Sequence, residues 1–127
     1  MGFTFRIDAA QQLAVIHGTE TLTLADFREL AAGLRADPAF GPTMRQLVLL
    51  DIKRSTVTFN DWQVMQRQLA SGPRGRRIAI VAKTDFAFGV ARQYAQSYGH
   101  ADQDISIFRE RAEAVTWLGI SETQVIA

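Results

Sequence analysis

Ile78-Ala79-Ile80-Val81-Ala82 is an unbroken apolar run of strand length that passes through Lys83, Thr84 and Asp85 directly into a helix-spaced segment, RIAIVAKTDFAFGVARQY from Arg77 to Tyr94. A strand coated on both faces is the mark of a parallel sheet with covered faces. The polar elbow supplies the turn and a helix N-cap. Such elbows lie at the carboxyl edge of open α/β sheets, where ligands bind. The segment thus predicts an architecture and a place to look for function.

The rest of the chain agrees with that architecture. Phe3, Phe5 and Ile7 alternate with Thr4, Arg6 and Asp8, the period of a half-wet strand. A short turn leads into a second strand, Gln12 to His17, closed by Gly18, and so short a link makes the pair antiparallel. Thr23 is an N-cap candidate for a helix whose apolar stripe is Leu24, Phe27, Leu30, Ala31 and Leu34. Pro38, Gly41 and Pro42 then enforce a loop. Gln46 to Asp51 reads as a strand ending in Asp51, followed by a polar link through Lys53, Arg54, Ser55, Thr56 and Thr58. Asn60 is expected to cap a second helix carrying Trp62, Val64, Met65 and Leu69. The elbow helix should stop at Gly99. A last strand from Asp104 to Phe108 and a last helix from Glu110 to Leu118 complete the string.

Alternating strands and helices on short links predict one α/β domain over residues 1–127, with a mixed, mostly parallel sheet of about five strands covered by helices. Composition narrows the function classes. The apolar fraction is 47% and the charged fraction 21%, a globular balance. A formal charge of +1 gives no field to draw nucleic acid. With no cysteine, thiol chemistry and Cys-based zinc sites are excluded, and His17 and His100 lack companions at metal-ligand spacing. No signal segment and no membrane-length apolar run is visible, so a cytoplasmic protein without a membrane span is expected.

The opening strand pair ending in Gly18, the helix TLADFRELAAGL, the strand LVLLD, the FG-x-AR segment ending in Arg92 and the terminal ISIFRERAEAVTWL together resemble the STAS superfamily, and within it the SpoIIAA-like group of small bacterial proteins. That resemblance implies a STAS-type mixed sheet and a non-enzymatic role in binding a partner or small ligand. In anti-sigma-factor antagonists of this superfamily a phosphorylatable Ser closely follows an Asp at the end of the third strand. Asp51 matches the acid, but Ile52, Lys53 and Arg54 intervene before Ser55. Related CRAL-TRIO-like proteins hold lipids, which implies a carrier of an apolar or anionic ligand as the alternative.

The expected binding surface is one rim built from Asp51, Lys53, Ser55 and Thr56 together with Lys83, Thr84, Asp85, Phe86, Phe88 and Arg92, with Arg109 beside it. Ser55 is the phosphoacceptor candidate, with Lys53 and Arg54 placed to hold an added phosphate. Arg74, Arg76 and Arg77 make a basic turn. No cofactor and no metal is expected, and no catalytic residue is assigned: G-x-S-x-G, P-loop and G-x-G-x-x-G motifs are all missing. A hydrolytic enzyme using a carboxylate pair such as Asp51 and Asp85 is the second alternative. The tail from Ser121 to Ala127, with Val125 and Ile126, has the composition to dock on the domain or to pair with a second copy, so a homodimer is among the expected assemblies.

Overall fold

The computed structural model describes residues 2–41, 44–69, 77–97 and 105–121. Five strands and four helices alternate: β1 (Phe3–Asp8), β2 (Leu13–Leu22), α1 (Leu24–Ala36), β3 (Arg45–Ser55), α2 (Phe59–Leu69), β4 (Ile78–Val81), α3 (Asp85–Ser97), β5 (Ile105–Phe108) and α4 (Arg111–Leu118). The sheet order is β1-β2-β3-β4-β5. Only the β1–β2 hairpin is antiparallel, and β2 to β5 run parallel.

This order has a consequence for the layers. A sheet wound steadily in one direction by crossovers of one hand puts every crossover helix on the same face. The core follows that rule. Ile16, Leu50, Ile52, Ile78 and Ile80 point toward α1, α2 and α3, where they meet Leu30, Leu34, Trp62, Ala87, Val90 and Ala91. The opposite face, Leu13, Val15, Leu47, Ala79 and Val81, is left for α4, which covers it with Ala114, Val115 and Leu118.

Three helices start on threonine. The Thr23 hydroxyl accepts from Asp26 N at 3.1 Å, Thr58 from Asp61 N at 3.1 Å and Thr84 from Ala87 N at 3.1 Å. Asp61 returns the bond by accepting from Thr58 N at 3.0 Å, a reciprocal cap. Thr58 rather than Asn60 is therefore the cap of α2, because its hydroxyl is the one within reach of an orphan amide. Glu110 occupies the cap position of α4, ahead of the helix, and makes no side-chain cap bond.

At eight residues α4 is too short to persist alone, so its end has to be held by other parts of the chain. All four of its last carbonyls are satisfied. Gly119, at φ 71°, lets its own N–H reach the Val115 and Thr116 carbonyls and the Ile120 N–H reach Val115. Arg77 Nη1 donates to the Trp117 carbonyl at 2.8 Å, and Arg45 Nη1 to that of Leu118 at 2.8 Å. The second Arg45 nitrogen donates to the Gln11 carbonyl, tying the hairpin turn to the same point. Arg77, read from sequence as part of a basic turn, is exposed and also serves as a fastener whose guanidinium stacks 5.0 Å from the Trp117 ring.

Two strands outrun their expected ends. β2 continues past Gly18 to Leu22 and β3 past Asp51 to Ser55, because each supplies the other with a parallel partner through polar residues. A register shift between Glu20 and Thr21 leaves Lys53 unopposed, a bulge accompanied by a left-handed Glu20 at φ 62°. Gly18 is required by closeness: a Cβ there would sit 2.8 Å from the Phe3 ring. The expected Gly99 stop, His100, Asp104, Arg74, Arg76 and all but the first residue of the tail lie outside the described residues.

Candidate functional site at the β4–α3 elbow

β4 ends where Ala82 N donates to the Phe108 carbonyl at 2.8 Å and the chain turns off the sheet. With Thr84 capping the helix, the Asp85 carboxylate is released from that duty and pairs with Arg109 at 2.9 Å. Asp85 is 97% exposed, so the pair is screened and contributes little to stability. Its effect is positional. Arg109 also donates to the Lys83 carbonyl at 3.2 Å and lies 4.4 Å from the centre of the Phe88 ring, so one guanidinium is oriented by a carbonyl, a carboxylate and an aromatic face. Beside it Phe86 is 46% exposed on the first turn of α3, and Lys83 and Arg92 are exposed as well. Lys83, Thr84, Asp85, Phe86, Phe88 and Arg109 thus form one cluster of anchored cation, free lysine and bare aromatic ring.

The other half of the expected rim lies elsewhere. Asp51 is not at a strand end but on the exposed face of β3, where His17 Nε2 donates to its Oδ2 at 2.7 Å. Lys53 is 3.8 Å from Glu20 on the same face. The Ser55 hydroxyl accepts from Val57 N at 3.2 Å, and Thr56 N donates to the Leu22 carbonyl at 3.0 Å, so both residues serve the exit from β3. The cause is the ladder: β4 leaves β3 at Leu49, and β3 runs on for six residues, about 20 Å. A single rim from Asp51 to Phe88 is therefore replaced by two places, the elbow and the β2–β3 surface.

Topology also removes the reason for expecting a crevice. Ligand clefts in open α/β sheets form where strand order reverses and neighbouring helices diverge to opposite faces. Here the order never reverses. A sheet of this order offers no switch point beside the elbow. Asp51 and Asp85 each have their own basic partner, His17 and Arg109, and do not form a carboxylate pair. Among the described residues no group of three His, Asp or Glu side chains gathers to hold a metal ion, and no helix is long and apolar enough to cross a membrane.

The pairing of His17 with Asp51, and Phe59, 38% exposed at the start of α2, escaped the sequence reading. A signal for His17 existed. It is the first polar residue after the run Leu13–Ile16, as Asp51 is after Leu47–Leu50, and aligning those runs brings the two within reach.

No protein-family model matches the sequence, and no curated protein matches it. Among solved structures the chain is similar to an uncharacterized protein of the DUF3478 family with a SpoIIAA-like fold from Shewanella loihica PV-4. The TM-score is 0.61 at 16% identity, over 92% of this chain and 94% of that one. The chain therefore has a SpoIIAA-like fold, a five-stranded, mostly parallel sheet with four helices.

Proposed function

We propose that this chain is a non-enzymatic binding module of STAS type that docks a protein partner on the elbow formed by Lys83–Phe88 and Arg109. The observation that carries the reading is the bare Phe86 ring on the same helix turn as Asp85, whose carboxylate helps to orient the Arg109 guanidinium. Binding energy at protein interfaces concentrates in aromatic and arginine side chains. An arginine held in place before association loses less rotamer freedom on binding, which raises affinity without new contacts. An open, singly wound sheet favours surface docking over enclosure of a small molecule.

The test is affinity capture from cells of the source organism with three baits: the unaltered chain, Phe86→Ala with Lys83→Glu, and a charge change on α1, Glu29→Gln. The reading requires a specific protein retained by the first and third baits and lost from the second. Equal retention by all three baits contradicts it. A bound small molecule in native mass spectrometry of the purified chain would favour the carrier alternative instead.

A further inference from the structure

β1 is the outermost strand of the sheet and nothing among the described residues pairs with its outer edge. Which backbone groups face outward follows from the hairpin. Thr19 N donates to the Gly2 carbonyl at 2.9 Å, so Gly2, and by alternation Thr4, Arg6 and Asp8, turn their N–H and C=O groups toward β2. Phe3, Phe5 and Ile7 turn theirs outward. The same three side chains lie on the face under α1, where each is only half-buried.

Such an edge is a template for another strand, and proteins usually blunt it with proline, bulges or inward charges. None of these interrupts Phe3–Asp8, whose single cation, Arg6, points to the opposite face from Phe3, Phe5 and Ile7. The segment Phe-Thr-Phe-Arg-Ile is moreover close to a palindrome in polarity. We infer that β1 is a self-pairing edge: two copies of this chain join antiparallel across a two-fold axis at Phe5, giving one continuous sheet through both.

The side chains select that register. With the axis at Phe5, Phe3 faces Ile7 of the second copy and Phe5 faces its equivalent, so apolar meets apolar on the α1 side. On the other side Thr4 faces Arg6. Moving the axis to Arg6 would set two guanidinium groups against each other, and moving it to Thr4 would leave Ile7 beyond the described strand. The chosen register uses Phe3 through Ile7 in full, with three outward residue pairs exchanging backbone bonds. The contact is isologous and closes on itself, so it gives dimers rather than fibres. It uses no elbow residue and is independent of the function proposed above.

The register makes Thr4 a reporter of sign. Thr4 is exposed, on the α4 side of the sheet across from His17 of β2, and its side chain is not part of any buried cluster, so changing it leaves the monomer's core packing intact. Thr4→Arg opposes Arg6 of the second copy twice per dimer, and Thr4→Glu attracts it twice. Sedimentation equilibrium should show a dimer for the unaltered chain, with the dissociation constant raised about two- to thirtyfold in Thr4→Arg and lowered by a similar factor in Thr4→Glu. Circular dichroism should show the same thermal transition for both variants at concentrations where both are monomeric. Amide exchange at Phe3, Phe5 and Ile7 should slow as protein concentration rises, while exchange at Thr4 and Arg6 stays slow throughout. A monomer across the accessible concentration range, a dimer whose two Thr4 variants shift in the same direction or not at all, or concentration-independent exchange at Phe5 would each overturn the proposal.

Discussion

Replacing Arg45 tests whether α4 is held by side chains from the far ends of the sheet rather than by its own apolar face alone. Arg45→Met keeps an unbranched stem in a half-buried position and removes two donors, one to the Leu118 carbonyl at 2.8 Å and one to the Gln11 carbonyl. Bonds from a charged donor contribute about 1.5–3 kcal/mol each when buried, and about half of that where the released carbonyls regain water, as they do here. The expected loss is about 1.5–3 kcal/mol. With an unfolding entropy of about 2.1 cal/mol/K per residue, a chain of 127 residues has roughly 0.27 kcal/mol/K at its midpoint, so Tm should fall by about 6–11 °C. Thermal and urea unfolding followed by circular dichroism measure both quantities. Arg45→Lys, which keeps the charge but reaches only one carbonyl, should lose about half as much. Arg77→Met removes the neighbouring tie to Trp117, and the double variant should deviate from additivity by at least about 0.5 kcal/mol because both arginines hold one helix end. A loss below about 0.5 kcal/mol in Arg45→Met would refute the reasoning and leave α4 held by Ala114, Val115 and Leu118 alone.

Gly119→Ala should cost about 1 kcal/mol in urea unfolding, purely from the left-handed backbone at φ 71°, since an added Cβ would approach nothing closer than Arg45 Nη1 at 4.0 Å. Trp62 is 2% exposed, packs edge-on against Phe27 at 4.9 Å and Tyr94 at 5.0 Å, and its indole N–H has no partner among the described residues. In a Trp117→Phe background its fluorescence should be blue-shifted and resist acrylamide. Trp62→Phe should cost less than about 2 kcal/mol against about 3–5 for Trp62→Ala, because losing an unsatisfied donor offsets part of the lost packing; equal costs would contradict this. The Asp8 carboxyl is held below the usual carboxylate range, first by the Gln11 side-chain amide donating to Oδ2 at 3.1 Å and then by the Gln11 backbone N–H. Because the folded value is the lower one, this contribution to stability is present above the unfolded value near 3.8 and is lost as pH falls through the folded value. An NMR titration of Gln11→Ala should show the Asp8 transition moving back up.

The elements that sequence made legible are those in which local pattern and tertiary need agree. The Ile78–Val81 run reads as a doubly covered strand and is one, with all four residues buried. The hairpin follows from a turn too short for anything else, and Thr23 caps α1 as its spacing from Asp26 predicts. Where a long-range partner decides, local reading falls short. Thr19-Glu20-Thr21 and Asp51-Ile52-Lys53-Arg54 look like loops by composition, yet each is strand because the other lies alongside it. The alternation of buried Leu50 and Ile52 with exposed Asp51 and Lys53 carries the period-two signal, and polarity obscures it. What was legible of the candidate site is the elbow, where Arg109 touches the Lys83 carbonyl, Asp85 and Phe88, with Phe86 exposed on the same turn. Its extension to Ser55 failed because strand lengths, which set where each strand exits, depend on pairing that no single segment encodes.

Sheet order that repeats chain order has a meaning for biosynthesis. Each new strand emerges from the ribosome when its neighbour is already present, so the sheet is free to grow by addition at one side without waiting for a distant segment. Helix α4 is different: among the described residues it is the helix that shields Leu13, Val15, Leu47, Ala79 and Val81, and it is made after all of them. A nascent chain halted before Arg111 therefore presents a broad oily surface to solvent, and chains interrupted there should be captured by chaperones or aggregate, whereas chains completed through Ile120 should not.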